Sequence, residues 1–278
     1  MGTLAQPEGT RRAIERLRLL AADLQARSQR DDVGTLAAAL TYAAFLSIFP
    51  LLLLGLSITG FVLQGRGTDA IEHAVAAIPG LQDLLTQQAM ALVESRVQTG
   101  LIGLVGTLWA ASALSNRARR ALARIFGQEQ SAIRARLEAV GVTLVLGAAA
   151  LVTIGLSGYV VGVVGRGPFG TIGELMAHLV VAAMAFGLFL LSYRLLIPAR
   201  IAWRDLVPGA VVAAVGWTVL QYAGSWFVER SISKWSVLYG TIATVFGVLL
   251  FLRLSAWIFL AGAELSAALR ERRARQTD

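Results

Sequence analysis

Arg253 sits alone near the middle of an apolar stretch, Val237 to Leu269, and no acid lies at comparable depth in any other such stretch. A charge at that depth in a bilayer costs about 2.5–3.5 kcal/mol on insertion scales. The polar groups that other apolar stretches could bring to its level are Gln221, Ser47, Tyr42 and the carbonyl that Pro50 deprives of its donor. All of these are neutral. A guanidinium with only neutral neighbours is suited to receive a phosphate or carboxylate through two parallel N–H bonds. The competing reading is that Arg253 reaches an interface or an interior water pocket. Glu264 lies on the same stretch, and at 1.5 Å per residue it stands about 16 Å away along the axis. That is too far for direct pairing. Arg194, Arg117 and Arg120 are predicted on the same inner side as Glu264, so an interhelical ion pair is its expected role.

Other chemistry is sparse. The absence of cysteine excludes disulfides, zinc–thiolate sites, iron–sulfur clusters and thiol nucleophiles. Metal-dependent hydrolysis of RNA needs clustered His, Asp or Glu, and metal-free cleavage usually needs an acid/base pair. The chain has two histidines, His73 and His178, neither in a metal-spaced motif and both predicted on the outer side. Asp31-Asp32 reads as a solvated turn and helix cap. The glycines near 100–106 precede no Lys-Ser/Thr and follow no strand, so they are packing signals rather than a phosphate loop. We therefore expect no catalytic residue, no metal site, no cofactor and no enzymatic role. Any transport would be passive or ion-coupled.

The elements that must position these residues are membrane helices. Of 278 residues, 56% are hydrophobic, concentrated in runs of about 20. The hydropathy pattern predicts an all-α polytopic membrane protein with six transmembrane helices, near 36–63, 101–124, 138–164, 175–197, 206–228 and 237–268. The second is short in apolar residues, but basic charge favours it. With six spans and the N-terminus inside, 19 of the 25 basic residues fall on the inner side and 5 on the outer, Arg253 being the remaining one. Both termini are then cytoplasmic. Removing the second span would largely abolish the bias. The net charge of +8, carried almost wholly by Arg, reads as cytoplasmic-face anchoring to anionic headgroups and not as nucleic-acid binding.

Three parts follow: a basic amphipathic helix within 1–34, a transmembrane domain over 35–269 and a basic tail over 270–278. The first part either lies on the membrane surface or packs on the bundle. Arg11-Arg12 is not a twin-arginine signal, because charged residues follow and no apolar region starts until Leu36. The outer segment, about 64–100, is expected to form two short amphipathic helices around Pro79-Gly80. Pro50 removes a donor from the carbonyl of Leu46, which then seeks a hydroxyl, a water or a neighbouring helix. Such a helix either lines a substrate cavity or kinks only to pack. Gly155, Gly158 and Gly162 predict close helix packing, with a homodimer interface as the alternative. Trp203, Trp226, Trp235 and Tyr239 suit interfacial belts.

Several strings together resemble the YihY/BrkB family of bacterial inner-membrane proteins. They are Leu40-Thr41-Tyr42 through Ser47-Ile48-Phe49-Pro50-Leu51, the basic run Arg117 to Phe126, Pro208-Gly209-Ala210 with Trp217, Tyr239-Gly240-Thr241, and Gly262-Ala263-Glu264-Leu265. The resemblance covers roughly residues 30–270. Arg253 departs from it, standing where an aromatic, usually tyrosine, is the family's pattern. The resemblance implies a six-helix protein of the cytoplasmic membrane, with roles suggested in envelope integrity, serum resistance and lipid or solute transport. The family's old label of tRNA-processing ribonuclease is generally regarded as misassigned.

The expected function is transport or lipid handling of an amphiphilic or anionic substrate, in a cavity formed by the first, fifth and sixth helices. Membrane lipids are the expected partners, with a homo-oligomer as a further option. The alternative is a non-transporting scaffold or accessory protein of the envelope.

Overall fold

The computed structural model describes residues 25–63, 82–128, 134–163, 170–197, 201–232 and 237–277. Six long helices make up the described chain: α1 (Val33–Leu63), α2 (Gln82–Ile125), α3 (Arg134–Val163), α4 (Gly170–Leu196), α5 (Trp203–Ile232) and α6 (Val237–Thr277). No strand occurs among the described residues. Among the described residues, five stretches are long and apolar enough to cross a membrane: Val33–Gly55, Gly141–Val160, Leu175–Leu196, Trp203–Gly224 and Val245–Gln276. α2 is not among them, since its apolar part ends at Leu114 and arginines follow. That part still exposes Leu101, Ile102, Leu104, Val105, Leu108 and Trp109. The expected basic helix within 1–34 lies outside the described residues, except for a helical piece at 25–30. Residues 64–81 of the outer segment, with the first of the two short helices expected there, lie outside the described residues. Residues 82–100 do not form a separate short helix but run unbroken into α2, 44 residues in all.

The chain divides into two compact units, one of residues 1–41 and 117–278, the other of residues 42–116. In the smaller unit, α1 stays helical through Pro50. A methyl group on Gly106 would press on Pro50 Cβ at 2.9 Å, and one on Gly103 would meet the Leu54 backbone nitrogen at 2.7 Å. The glycine row of α2 is thus a seat for the Pro50–Leu54 face, which is the packing role expected of it. The hydroxyl of Ser47 donates to the Ala43 carbonyl at 2.8 Å. It therefore does not serve the Leu46 carbonyl.

In the larger unit, α3, α4, α5 and α6 pack in sequence order, α5 against α6 most extensively. Short connections bring each helix back beside its predecessor. The α5–α6 crossing is set by two glycines. A side chain on Gly209 would overlap the Gly262 carbonyl and Ser266 Oγ, and one on Gly262 would overlap the Gly209 carbonyl and the Tyr193 hydroxyl. Polar groups fill that close approach. Ser266 Oγ accepts from Gly209 N–H at 3.2 Å and lies 3.3 Å from the Leu206 carbonyl, to which it donates. Tyr193, fully buried, donates to the Phe259 carbonyl at 2.7 Å. Rings then link in a chain from Tyr193 to Phe259, Phe189, Trp217 and Phe251, with centroids 5.1 to 6.4 Å apart. The strings around Pro208-Gly209-Ala210 and Gly262-Ala263-Glu264 are therefore two halves of one packing junction. The expected close packing at Gly155, Gly158 and Gly162 is not made: nothing lies within 4 Å of a methyl group placed on any of them.

Candidate functional site

Arg253 is exposed on α6. Phe246, Leu250 and Trp257 recur with it at helical spacing, and all three are exposed apolar residues. The guanidinium thus rises from the middle of an outward-facing apolar stripe. Among the described residues it makes no hydrogen bond or ion pair. Gln221, on α5 of the same unit, is also exposed and has contacts of its own. Tyr42 and Ser47 belong to the smaller unit. Tyr42 is 59% exposed, while Ser47 is buried and committed to Ala43.

A second polar group gathers where the chain enters α1. Residues 25–30 are helical, and the helix ends in a turn at Asp31 and Asp32. Asp32 takes the left-handed conformation, φ 54°, that aspartate tolerates better than most residues. Its carbonyl accepts from Leu36 N–H at 3.1 Å, which starts α1. The turn expected at Asp31-Asp32 is present, but only Asp32 is solvated. Asp31 is 8% exposed and lies near Glu264, which is 3% exposed. Arg30 Nε lies 3.4 Å from Asp31 Oδ1. Arg27 grips Glu271 with both terminal nitrogens, at 3.1 and 2.7 Å. Two-pronged pairing of this kind fixes geometry as well as charge.

Glu264 is therefore met by Asp31, Arg27 and Arg30 rather than by the arginines expected. Arg194 lies over the Trp203 ring, its guanidinium carbon 5.5 Å from the centroid. Arg117 is half-buried, Arg120 is exposed, and neither pairs with an acid among the described residues. Asp205, in the first turn of α5, instead takes Arg273 at 2.8 Å. Sequence reasoning missed Arg27, Asp31 and Glu271 as members of this group. One signal was available: a lone acid inside an apolar helix needs a partner, and Asp31-Asp32 stands at the entry of another.

His178 stacks on Tyr222, centroids 5.7 Å apart, and His73 lies outside the described residues. Among the described residues, no three His, Cys, Asp or Glu are grouped to hold a metal ion.

Comparison with known proteins agrees with the membrane reading. The family model described as virulence factor BrkB matches residues 24–278. A UPF0761 membrane protein of Haemophilus influenzae (strain 86-028NP) is 25% identical over 252 residues, covering 88% of this chain and 93% of that protein. A ribonuclease-like protein, YfkH, of Bacillus subtilis (strain 168) is 27% identical over 262 residues, covering 85% of this chain and 90% of that protein. A UPF0761 membrane protein of Mannheimia succiniciproducens is 25% identical over 271 residues, covering 94% of this chain and 92% of its own. No solved structure matches.

Proposed function

From the premise that this chain belongs to the BrkB family and is a multi-pass protein of the bacterial inner membrane, we propose that it handles an anionic amphiphile, a lipid or a lipid-like solute, without enzymatic chemistry. The observation that carries this is the exposed guanidinium of Arg253 on the apolar stripe of α6. A lipid presents both things such a stripe is made to meet: apolar chains along Phe246, Leu250 and Trp257, and an anionic head for the arginine. Gln221, on α5 of the same unit, is the neutral group that would continue the path. The arginines at the inner ends of the helices raise the local concentration of anionic headgroups. In this reading six helices cross the membrane and both termini are cytoplasmic.

Native mass spectrometry of the detergent-purified chain beside Arg253→Leu and Arg253→Gln tests it. Retention of an anionic phospholipid by the wild type, lost in both variants, supports lipid handling. Equal retention by all three removes Arg253 from the mechanism. A specific observation favours a second reading, a non-transporting scaffold: the glycine face of α3 is open. Faces of small residues let helices of two copies approach closely. The same spectra would then show a dimer whose lipid content ignores residue 253.

A further inference from the structure

The exposed stripe of α6 does not stop at Trp257. Steps of three and four residues carry it on to Leu260, Glu264, Ala267 and Glu271, so one helix face runs from Phe246 to Glu271. Its outer half is open and its inner half is closed: Trp257 is 40% exposed, whereas Leu260 is at 0% and Glu264 and Ala267 are at 3%. The neighbouring helices meet α6 on other faces. α5 meets it at Ile258, Gly262 and Ser266, and Tyr193 of α4 meets it at Phe259 and Gly262. What reaches the inner half of the stripe is the turn ahead of α1. Arg27 holds both oxygens of Glu271, and Asp31 lies near Glu264.

We infer that the turn at 27–31 is a cover over the inner half of this stripe, clasped by Arg27 and Glu271, and that an anionic lipid headgroup opens it by taking the place of Glu271 on Arg27. The inference rests on the lipid reading and extends its path from Trp257 to the inner end of α6, about 20 Å further along the axis.

The local structure suits a cover. The helical piece at 25–30 joins α1 through a single break at Asp31 and Asp32, with φ 54° at Asp32, so the piece can swing without unwinding α1. The clasp is within reach of water and headgroups, since the Glu271 side chain is 48% exposed, while that of Arg27 is 12% exposed. The exchange is even in chemistry. A phosphate offers the guanidinium the same two-oxygen edge and the same sign of charge as the carboxylate it displaces. Arg30, on the exposed side of the turn, adds a second guanidinium beside the clasp. Beneath the cover, Leu260 and Ala267 continue the apolar surface that Phe246, Leu250 and Trp257 begin.

The chain has no cysteine, so Ala267→Cys places a single thiol under the cover. Its rate of reaction with N-ethylmaleimide, measured on the full chain in nanodiscs, reads the opening. In phosphatidylcholine discs the thiol should react slowly. Adding Glu271→Arg should raise the rate at least about fivefold, the factor that about 1 kcal/mol of lost pairing gives. The swap of Arg27→Glu with Glu271→Arg restores the pair and should bring the rate back. No rise in Glu271→Arg, or a rise that the swap does not reverse, overturns the clasp. Phosphatidylglycerol discs should raise the rate of Ala267→Cys alone, and inorganic phosphate added to phosphatidylcholine discs should not. Equal rates in the two lipids overturn the part given to the headgroup, and an equal rise with inorganic phosphate overturns lipid as its source. None of these rates involves Arg253. An unresponsive thiol in a chain whose lipid retention still depends on Arg253 sinks this inference alone, whereas lipid retention that ignores Arg253 sinks the lipid reading itself.

Discussion

At the scale of single residues, the buried and half-buried hydroxyls divide into two kinds. Thr41, Ser47, Ser192, Thr218 and Ser255 each donate to the carbonyl four residues back in their own helix. Such bonds satisfy the hydroxyl and cost the bundle little when lost. Tyr193 and Ser266 instead bridge helices. Removing the Tyr193 hydroxyl leaves the ring chain intact, so Tyr193→Phe should destabilise by about 0.5–1.5 kcal/mol. Ser255→Ala should change stability by less than about 0.5 kcal/mol. Thermal unfolding of both in one detergent checks the difference; equal shifts would contradict the division. Arg253 was legible from sequence because depth in an apolar run is a local property. The nearness of Asp31 to Glu264 was not, because a turn that looks solvated in one dimension is covered by a helix from the far end of the chain. Arg27 and Glu271, its neighbours, are 244 positions apart.

At the scale of elements, the glycines sort by what faces them. Gly209 and Gly262 face each other's backbone, and no rotamer of a flexible neighbour can relieve a clash there. Gly209→Ala or Gly262→Ala should force α5 and α6 apart and cost on the order of 3 kcal/mol. Gly158→Ala meets open space and should be neutral or stabilising, since alanine favours helix over glycine by about 1 kcal/mol. Stability against denaturant ranks the three. A Gly158→Ala variant as unstable as Gly209→Ala would mean that the α3 face is occupied in the purified protein. Hydropathy and length located the six long helices of the described chain, five of them apolar enough to cross a membrane, yet did not join the two halves of the glycine junction. Glycine spacing shows that a helix can be approached, and says nothing of which helix approaches it. The same limit explains α2. The Pro79-Gly80 pair lies outside the described residues, and nothing in residues 82–100 stops a helix, so it grows into the apolar part.

At the scale of the whole molecule, the outstanding matter is the number of crossings. Five stretches are apolar enough by themselves, and the distribution of arginine calls for a sixth in α2. An odd count puts the termini on opposite sides, and an even count puts them together. The chain contains no cysteine, so single cysteines can be placed without removing any. Gln6→Cys and Gln276→Cys should both resist an impermeant thiol reagent in intact cells, while Arg66→Cys should react. Labelling at the C-terminus only would establish five crossings and reverse the sidedness of every loop beyond α2. Six crossings would also put the turn at Asp31 and the charged end of α6 on one face of the membrane, where Arg27 and Glu271 pair. Five would separate the ends of the chain unless those pairs formed within a helix bundle entered from both sides.

The Gly209–Gly262 junction has a consequence for how this sequence can drift. Each glycine is blocked by the main chain of the other helix, and a main chain cannot be mutated away. No second substitution can therefore repair a first one at either site. The exposed leucines and valines around the bundle can exchange freely, one lineage at a time, under the sole demand of greasiness. The two glycines have one permitted letter each, and their descendants inherit them together or lose the crossing together.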